Sequence, residues 1–282
     1  MQKVMKSICL ILLCTLTTLV AQNVQITHEG IKLNASYETP SKSKSIFLIT
    51  HGTLAPNGME IIATMQELLS DNETNSLAIN LSLGVSNRSS AMYDCDTTHK
   101  HTHQDALDEI DAWVVWLKNK GYNEIHLVGH SRGGNQTAWY YSEYADKTIA
   151  SATLIAPQTW EETKYKPLKQ ASASIKKGKE QKVFKNIDFI YCEKSSATAR
   201  AIEGYYKPNA LLDTPTILKD NNKPVLVVIG SADKTVKNLP KKMKKVKNEN
   251  VSSITVDGAD HYFRDLYLED VVEEMIGFVE EL

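Results

Sequence analysis

The sequence carries almost no net charge and few aromatic residues. Its 282 residues contain 32 Lys and Arg against 34 Asp and Glu, which gives a formal net charge of -2. Aromatic residues make up 7% of the chain and do not cluster with basic residues into a stripe. Because such a stripe is typical of nucleic-acid-binding surfaces, we expect no nucleic-acid partner.

Long apolar runs are absent beyond the N-terminus. A membrane-spanning helix needs about 18 consecutive apolar residues, and no window after residue 20 supplies them, which excludes a multipass membrane protein. The chain is 42% hydrophobic and 23% charged. This composition is that of a globular protein rather than a disordered one.

The first 21 residues have the parts of a secretory signal. Lys3 and Lys6 precede an apolar run of about 14 residues, from 7 to 20, and small Ala21 stands before polar residues. We predict that residues 1–21 are a signal peptide, that the mature protein is periplasmic or secreted, and that it has no integral membrane span. An uncleaved N-terminal anchor is the alternative, although the run is short for a span.

Cysteine is scarce, and its placement agrees with export. Of four cysteines, Cys9 and Cys14 lie in the predicted signal peptide, so that Cys95 and Cys192 remain. In an oxidising compartment such a pair forms a disulfide. We predict a Cys95–Cys192 bond that closes a loop of about 100 residues and stabilises the fold by up to roughly 4 to 5 kcal/mol through chain entropy.

After the signal, strand-like and helix-like patterns alternate. Two short alternating runs between 24 and 37 break at Glu29 and Gly30, which predicts a hairpin. Apolar strand-like runs follow at 46–50, 76–81, 125–128, 149–155, 225–229 and 254–256. Helical patterns lie at 60–69, 104–120, 131–145 and 266–279. This order predicts an α/β protein with a mostly parallel central sheet and helices on both faces.

One stretch interrupts the alternation. Residues 158–218 show no strong strand pattern, are rich in Lys and include Tyr205, Tyr206 and Pro208 among polar residues. The stretch is too short and too weakly patterned to form a domain of its own. We therefore predict one domain over residues 22–282, in which 158–218 is a cap insertion over the C-terminal edge of the sheet.

The strongest catalytic motif has the form G-x-S-x-G. Residues 124–134 read EIHLVGHSRGG, so that an apolar strand runs directly into Ser131 and helix-compatible residues follow. In a nucleophile elbow the serine occupies a tight strand-to-helix turn, and glycines such as Gly129 and Gly133 let neighbouring backbone approach. The pattern predicts that Ser131 is a nucleophile at the edge of the sheet, with the helix N-terminus behind the developing oxyanion.

The sequence around Ser131 resembles the α/β-hydrolase superfamily, and the resemblance extends over essentially the whole mature chain. That superfamily orders its catalytic residues serine, acid, histidine, with the acid and the histidine after later strands. Asp233 follows the strand at 225–229, and His261 follows the last strand. The resemblance therefore implies a catalytic triad of Ser131, Asp233 and His261.

Each member of such a triad has a chemical role. The His261 imidazole takes the proton of the weakly nucleophilic Ser131 hydroxyl, and a carboxylate fixes the imidazole tautomer and stabilises the cation that forms. Two acids compete with Asp233 for this orienting role. Asp260 is adjacent to His261 in sequence and would have difficulty reaching its ring nitrogen, and Asp213 lies in the predicted cap.

The resemblance also implies an oxyanion hole made of two backbone N–H groups. Arg132, the residue after the nucleophile, supplies one. The strand at 46–50 is followed by His51, Gly52 and Thr53, which are similar to the superfamily's His-Gly loop, so Thr53 supplies the other. This loop lacks the run of glycines found in lipases. No cofactor is implied.

A histidine-rich loop precedes the helix at 104–120. In the sequence YDCDTTHKHTHQD, His99, His101 and His103 alternate among acids. The segment HTHQD is similar to the start of the metallo-β-lactamase pattern, whose His and Asp ligands hold zinc. Ala106 stands where that pattern needs another histidine, so we expect no catalytic metal. The remaining interpretations are a polar loop, a structural metal site and a border of the substrate pocket.

These observations predict an exported serine hydrolase that cleaves a small-molecule carboxylic ester through an acyl-enzyme on Ser131. His261 is the expected base and Asp233 the expected orienting acid. Peptidase or acyltransferase activity would use the same residues. Two other functions stay open: a non-catalytic binding protein on the same fold, and a metal-dependent hydrolase built on the loop of His99, His101 and His103.

The cysteine assignment predicts the result of a thiol titration. Because both cysteines outside the signal are expected to be bonded to each other, the exported protein should show no free thiol when it is denatured without reductant. A thiol-reactive dye, added before and after reduction, measures this. Two free thiols in the unreduced sample would contradict the disulfide.

Overall fold

A computed structural model describes residues 21–161 and 164–282 of the protein. The predicted signal peptide, residues 1–21, lies outside the described residues except for its last position. Across the described ranges, no helix is both long enough and apolar enough to span a bilayer.

An eight-stranded sheet forms the centre of the molecule, and a separate two-stranded hairpin accompanies it. The strands are β1 (Gln22–His28), β2 (Ile31–Glu38), β3 (Ser45–Thr50), β4 (Ser76–Asn80), β5 (Glu124–His130), β6 (Ile149–Ile155), β7 (Val183–Phe189), β8 (Cys192–Thr198), β9 (Val225–Gly230) and β10 (Val251–Val256). The sheet has the order β1-β2-β4-β3-β5-β6-β9-β10. From β4 to β10 the strands in this order are parallel, whereas β2 is antiparallel to β1 and to β4. The predicted N-terminal hairpin and mostly parallel sheet are confirmed.

The helices connect the strands and follow the last one. They are α1 (Glu60–Asp71), α2 (Asp105–Asn119), α3 (Arg132–Glu143), α4 (Lys166–Ile175), α5 (Ala199–Tyr206), α6 (Thr214–Ile217), α7 (Leu239–Met243) and α8 (Leu266–Glu280). The four helices predicted from periodicity correspond to α1, α2, α3 and α8, with ends that differ by two residues or fewer.

The chain connections determine where a ligand site can form. From β3 the chain passes through α1 to β4, and it then returns through α2 to β5 on the other side of β3. Right-handed crossovers in opposite directions place their helices on opposite faces, and accordingly α1 packs with α8 while α2 packs with α3. The carboxyl ends of β3 and β5 are therefore neighbours at a reversal of strand order, where α/β proteins bind ligands.

The central strands are buried on both faces. Every residue of β4 and β9 is buried, whereas β1 at the sheet edge alternates between exposed and partly buried residues. The two sequences show this difference, since β9 reads VLVVIG and β1 reads QNVQITH. A strand that is covered by helices on both sides has no solvent-facing positions, so its sequence becomes a continuous apolar run.

The segment 158–218 contains secondary structure that its sequence pattern did not predict. Strands β7 and β8 pair as an antiparallel hairpin, and α4 packs against α5. The strands read VFKNIDF and CEKSSAT, in which charged and polar residues interrupt the apolar ones. Backbone pairing and a small apolar cluster that includes Phe189 and Ile202 stabilise the hairpin. Such a hairpin gives a weak alternation signal, because its register shifts and the buried residues of β8 are small or polar.

The histidine-rich loop is fastened to this hairpin. A disulfide joins Cys95 to Cys192, the first residue of β8, with Cα atoms 5.3 Å apart, as the cysteine pattern predicted. The backbone N–H of His99 donates to the Ser196 carbonyl at 2.8 Å, and the N–H of Thr198 donates to the His99 carbonyl at 2.9 Å. The loop and the hairpin therefore form one connected layer.

Six histidines are buried and uncharged near neutral pH. In each, burial is the main cause that lowers the pKa from its ordinary value of 6.5. The pKa falls to about 3 in His51 and His101, to about 4 in His99, His126 and His130, and well below its ordinary value in His103. An unfolded chain would expose all six to water and to protonation.

The protein should therefore lose stability in mild acid. As the pH falls below about 6.5, only the unfolded chain takes up these protons, and the free energy of unfolding drops by up to about 1.4 kcal/mol per pH unit for each histidine. His126→Asn tests one contribution, because its amide can replace the 2.8 Å bond between Nδ1 and Ser151 Oγ without titrating. Urea unfolding between about pH 5 and pH 7.5 should show a shallower pH dependence in the variant. Parallel stability curves would contradict the assignment.

Candidate active site

Ser131 lies in a strained turn between β5 and α3. Its backbone has φ 56° and ψ -119°, a conformation that L-residues rarely adopt and that is typical of functional turns. The turn is held to β6, because the Ser131 N–H donates to the Ile155 carbonyl at 2.9 Å and the Gln158 N–H donates to the Ser131 carbonyl at 2.9 Å. The hydroxyl is thereby fixed at the carboxyl edge of the sheet.

A glycine lets the turn form against the neighbouring strand. A Cβ at Gly133 would lie 2.3 Å from the carbonyl oxygen of His51 and 2.6 Å from that of Thr50. Both distances are shorter than side chains tolerate, so helix α3 can start here only with glycine at this position. The contact joins the carboxyl end of β3 to the amino end of α3.

The structure brings Ser131, His261 and Asp233 together. His261 Nε2 lies 2.9 Å from Ser131 Oγ, and His261 Nδ1 lies 2.7 Å from Asp233 Oδ2. Both contacts are satisfied when Nδ1–H donates to the carboxylate and the Ser131 hydroxyl donates to Nε2. Ser131 is 8% exposed and His261 is 5% exposed. Asp233 follows β9 and His261 follows β10, so parallel strands deliver all three to one edge.

Hydrogen bonds keep the Asp233 carboxyl ionised. Burial acts to raise its pKa, but the bond from His261, the charge of His261 and the backbone N–H groups of Thr235 and Val236 outweigh burial and lower the pKa below its ordinary value. The two N–H groups donate to Oδ1 at 2.7 and 3.0 Å. Oδ2 is thus aimed at the imidazole, which fixes the ring orientation.

The two competing acids are engaged elsewhere. Asp260 accepts hydrogen bonds from the Tyr262 N–H at 2.8 Å and from Arg264 Nη1 at 2.9 Å. Asp213 forms an ion pair with Lys242 at 2.6 Å. Among the described residues, only the Asp233 carboxylate bonds the ring of His261.

The two expected oxyanion donors lie beside the elbow. Arg132 is the first residue of α3, and its backbone N–H therefore has no intrahelical acceptor. Thr53 belongs to the loop after β3, and its hydroxyl accepts a 3.0 Å bond from Arg132 Nε. A Cβ at Gly52 would lie 3.3 Å from Ser131 Cβ. The loop therefore contacts Ser131 directly.

His130 contacts the backbone of His261, which the sequence did not indicate. The residue is buried at 2% exposure. Its Nε2–H donates to the backbone carbonyl of His261 at 2.9 Å, and the two rings lie 4.9 Å apart. Thus the residue that precedes the nucleophile also positions the backbone of the expected base.

A cavity of about 310 Å³ opens onto Ser131. It is bounded by the elbow, by the loop after Asp233 and by the segment 158–218. Its lining residues are Ser131, Arg132, Gln158, Thr159, Trp160, Glu161, Tyr191, Tyr205, Tyr206, Thr235, Val236, Lys237 and Asn238. A larger cavity of about 550 Å³ lies between α2 and α5 and does not include Ser131, so we assign the smaller one as the substrate pocket.

The three-histidine loop lies behind this pocket. His99, His101 and His103 are each at most 1% exposed. His101 Nε2 and His99 Nδ1 lie 3.2 Å apart, and the Tyr205 hydroxyl donates to His101 Nδ1 at 2.8 Å. Arg132 Nη1 donates to His103 Nδ1 at 3.3 Å.

Most of the inward nitrogens of this loop therefore bind protein partners. Within residues 21–161 and 164–282, no three or more His, Cys, Asp or Glu side chains are grouped so that they could hold a metal ion. Of the three interpretations of the loop, the geometry favours a border of the pocket, because the loop supports Tyr205 and Arg132 from behind. The sequence carried no signal for these contacts with Tyr205 and Arg132.

Comparison with known families agrees with this geometry. A family model described as alpha/beta hydrolase fold matches residues 46–174, which run from β3 into α4 and contain Ser131. The matched residues, together with the strand order and the turn at Ser131, show that the chain has the α/β-hydrolase fold. The matched part ends before Asp233 and His261, so the pairing of these residues rests on the coordinates.

Solved structures and a curated relative extend the likeness. Est1E from Butyrivibrio proteoclasticus has a TM-score of 0.64 at 20% identity, over 92% of this chain and 99% of that one. GrgF from Penicillium sp. sh18, an alpha/beta hydrolase, has a TM-score of 0.69 at 16% identity, over 93% and 99%. A proline iminopeptidase from Clostridioides difficile (strain 630) is 31% identical over 152 residues, 50% of this chain and 51% of its own length. That match thus spans about half of the relative.

Replacing Gly133 should destabilise the protein. In Gly133→Ala the Cβ would meet backbone oxygens at 2.3 and 2.6 Å, and overpacking of this kind costs about 1 to 3 kcal/mol. Gly277→Ala in α8 is the matched control, because nothing lies within 4 Å of its Cβ and alanine favours a helix by up to about 1 kcal/mol. Thermal melts compare the two. Equal melting temperatures for Gly133→Ala and the wild type would show that a Cβ at this position does not destabilise the fold.

Proposed function

We propose that this protein is a serine hydrolase that cleaves carboxylic esters through an acyl-enzyme on Ser131. The observation that carries the proposal is the continuous hydrogen-bonded chain from Ser131 Oγ through His261 to Asp233, with contacts of 2.9 and 2.7 Å. A serine hydroxyl is a poor nucleophile until an adjacent base removes its proton. This chain supplies the base and the group that orients it.

The geometry supports a two-step acyl transfer. In the first step Ser131 Oγ attacks the ester carbonyl while His261 Nε2 takes its proton, and the Thr53 and Arg132 N–H groups bind the developing oxyanion. The bond to the alcohol then breaks, and His261 returns the proton to the leaving oxygen. In the second step water attacks the acyl-enzyme with the same base, which releases the acid and restores Ser131. Asp233 stabilises the imidazolium in both steps.

Peptide hydrolysis is the second candidate. The curated relative that matches half of the chain is named a proline iminopeptidase, whereas among the solved structures Est1E binds ferulic acid, a carboxylic acid. The same triad can act on an ester or an amide. An ester and an amide of one acyl group, compared at equal concentration, separate the two. We expect the ester to be the better substrate.

The surroundings of the site complete the proposal. Residues 22–282 form one hydrolase domain, and 158–218 act as its cap, because Trp160, Tyr191, Tyr205 and Tyr206 line the pocket. Export to the periplasm or the exterior follows from the predicted signal peptide and agrees with the disulfide. The substrate is a small molecule that fits a cavity of about 310 Å³.

Substitution of the three residues should abolish hydrolysis while the fold survives. We expect Ser131→Ala and His261→Ala to lower kcat by about 10⁴- to 10⁶-fold, and Asp233→Asn by roughly 10³- to 10⁴-fold, because each removes a group that acts in the transition state. Esterase assays on short-chain esters measure the loss. Ser253→Ala, at an exposed position of β10, is the matched control and should retain full activity.

A fluorophosphonate probe separates an active serine from an inert one. It should label the wild type and the Ser253→Ala control but not Ser131→Ala, since labelling needs an activated hydroxyl. Full hydrolytic activity in Ser131→Ala would falsify the mechanism. An unlabelled, inactive wild type would favour a binding protein, and inhibition by chelators without labelling would favour a metal-dependent hydrolase.

A further inference from the structure

The side chain of Arg132 is held inside the pocket by neutral groups. Its Nε–H donates to Thr53 Oγ1 at 3.0 Å, and Nη1–H donates to His103 Nδ1 at 3.3 Å. Its Cζ lies 5.0 Å from the centre of the Tyr205 ring. A hydroxyl, a neutral imidazole and an aromatic face orient a guanidinium, but none of them cancels its charge.

Arg132 also lacks an acidic partner. Among the described residues, Arg200 forms an ion pair with Asp105 at 2.6 Å and Arg264 forms one with Asp260 at 2.9 Å, whereas Arg132 forms none. Desolvation lowers the pKa of Arg132, because the partly exposed side chain has lost much of its contact with water and has no counter-charge among the described residues. Such burial is unfavourable unless another group compensates it.

The rest of the pocket does not supply that compensation. Its lining contains two other charged side chains, Lys237 and Glu161, and both are exposed at the rim. The Glu161 carboxylate accepts a hydrogen bond from the Asn238 amide. Asp233 is committed to His261 at 2.7 Å. Among residues 21–161 and 164–282, the interior of the pocket therefore has one positive group next to Ser131 and no negative group free to meet it.

The hydrogen-bonding capacity of Arg132 is only partly used. Arginine has five N–H donors arranged in a plane, and the two bonds to Thr53 and His103 use one donor each. Nη2 has no acceptor within residues 21–161 and 164–282. A carboxylate fits such a guanidinium, because its two oxygens can accept two parallel N–H bonds.

We propose that Arg132 binds a carboxylate of the substrate, so that the ester cleaved at Ser131 carries a second, ionised carboxyl group close to the scissile carbonyl. This inference rests on the proposed ester hydrolysis and names its substrate class, the monoesters of dicarboxylic acids. Tyr205 and His103 act as positioning residues, since they hold the guanidinium without neutralising it. The guanidinium keeps N–H donors that the described residues do not use, and these can donate two parallel hydrogen bonds to one carboxylate.

Paired substrates test the preference directly. Monomethyl succinate, glutarate and adipate each have a neutral counterpart of equal chain length in methyl butanoate, pentanoate and hexanoate. We expect the wild type to favour the charged ester in kcat/KM for at least one length. Arg132→Gln should lower this charged-to-neutral ratio by roughly tenfold to a hundredfold, since a hydrogen-bonded charge pair is lost. Arg132→Lys, which keeps the charge but not the planar fork, should give an intermediate ratio.

The control separates a specific contact from a general attraction to positive charge. Lys237→Gln removes an exposed cation from the same pocket rim, and screening by solvent limits its effect on the ratio to about threefold. Circular dichroism melts establish that each variant is folded. If Arg132→Gln lowers kcat/KM for charged and neutral esters equally, or if Lys237→Gln changes the ratio more than Arg132→Gln does, the carboxylate assignment is overturned.

A binding measurement distinguishes failure of this inference from failure of the proposed function. Calorimetry on Ser131→Ala, which cannot turn over, should show that the monoester binds and that adding Arg132→Gln raises its dissociation constant at least about tenfold. Arg132-dependent binding without hydrolysis by the wild type would keep the anion site and refute the esterase. Hydrolysis of neutral esters without Arg132-dependent binding would keep the esterase and refute the anion site.

Discussion

The active-site turn depends on one close approach of backbone to backbone. Gly133, the second residue of α3, packs against the carbonyl oxygen of His51, in space that a Cβ would fill. This contact holds the carboxyl end of β3 against the amino end of α3, and Ser131 bridges them with its φ of 56°. It also sets Thr53 beside Arg132. The placement of Ser131, of the expected oxyanion donors and of the Arg132 side chain therefore depends on one condition. No side chain can be present at position 133.

Neutral histidines control the electrostatics around this turn. Burial lowers the pKa of His130, so the ring that supports the His261 backbone adds no positive charge next to the triad. Burial has the same effect on His103, which can then accept a hydrogen bond from Arg132 instead of repelling it. Because both neighbours are uncharged, His130 does not compete with His261 for the Asp233 carboxylate, and His103 does not repel the Arg132 guanidinium.

The segment 158–218 is joined to the hydrolase core through the histidine-rich loop. The disulfide and two backbone hydrogen bonds attach the loop to β8, and the loop in turn supports Tyr205 and Arg132. Its strands were not predicted, because charged and polar residues interrupt the apolar residues of VFKNIDF and CEKSSAT. Pairing between β7 and β8 and a cluster around Phe189 form them. The residue pattern within each strand predicts neither the pairing of β7 with β8 nor the cluster around Phe189.

The sequence by itself determined the order of the strands of the central sheet and of helices α1, α2, α3 and α8, the strand-turn-helix around Ser131 and the cysteine pairing, because apolar runs, helical periodicity and short motifs are local patterns. It left three acids as candidates to orient His261 and several interpretations of the histidine loop. The tertiary structure decided these points. The decisive contacts join residues 28 positions apart for His261 and Asp233 and 104 apart for His101 and Tyr205. Contacts over such separations arise from packing in space, for which neighbouring residues in the chain carry no signal.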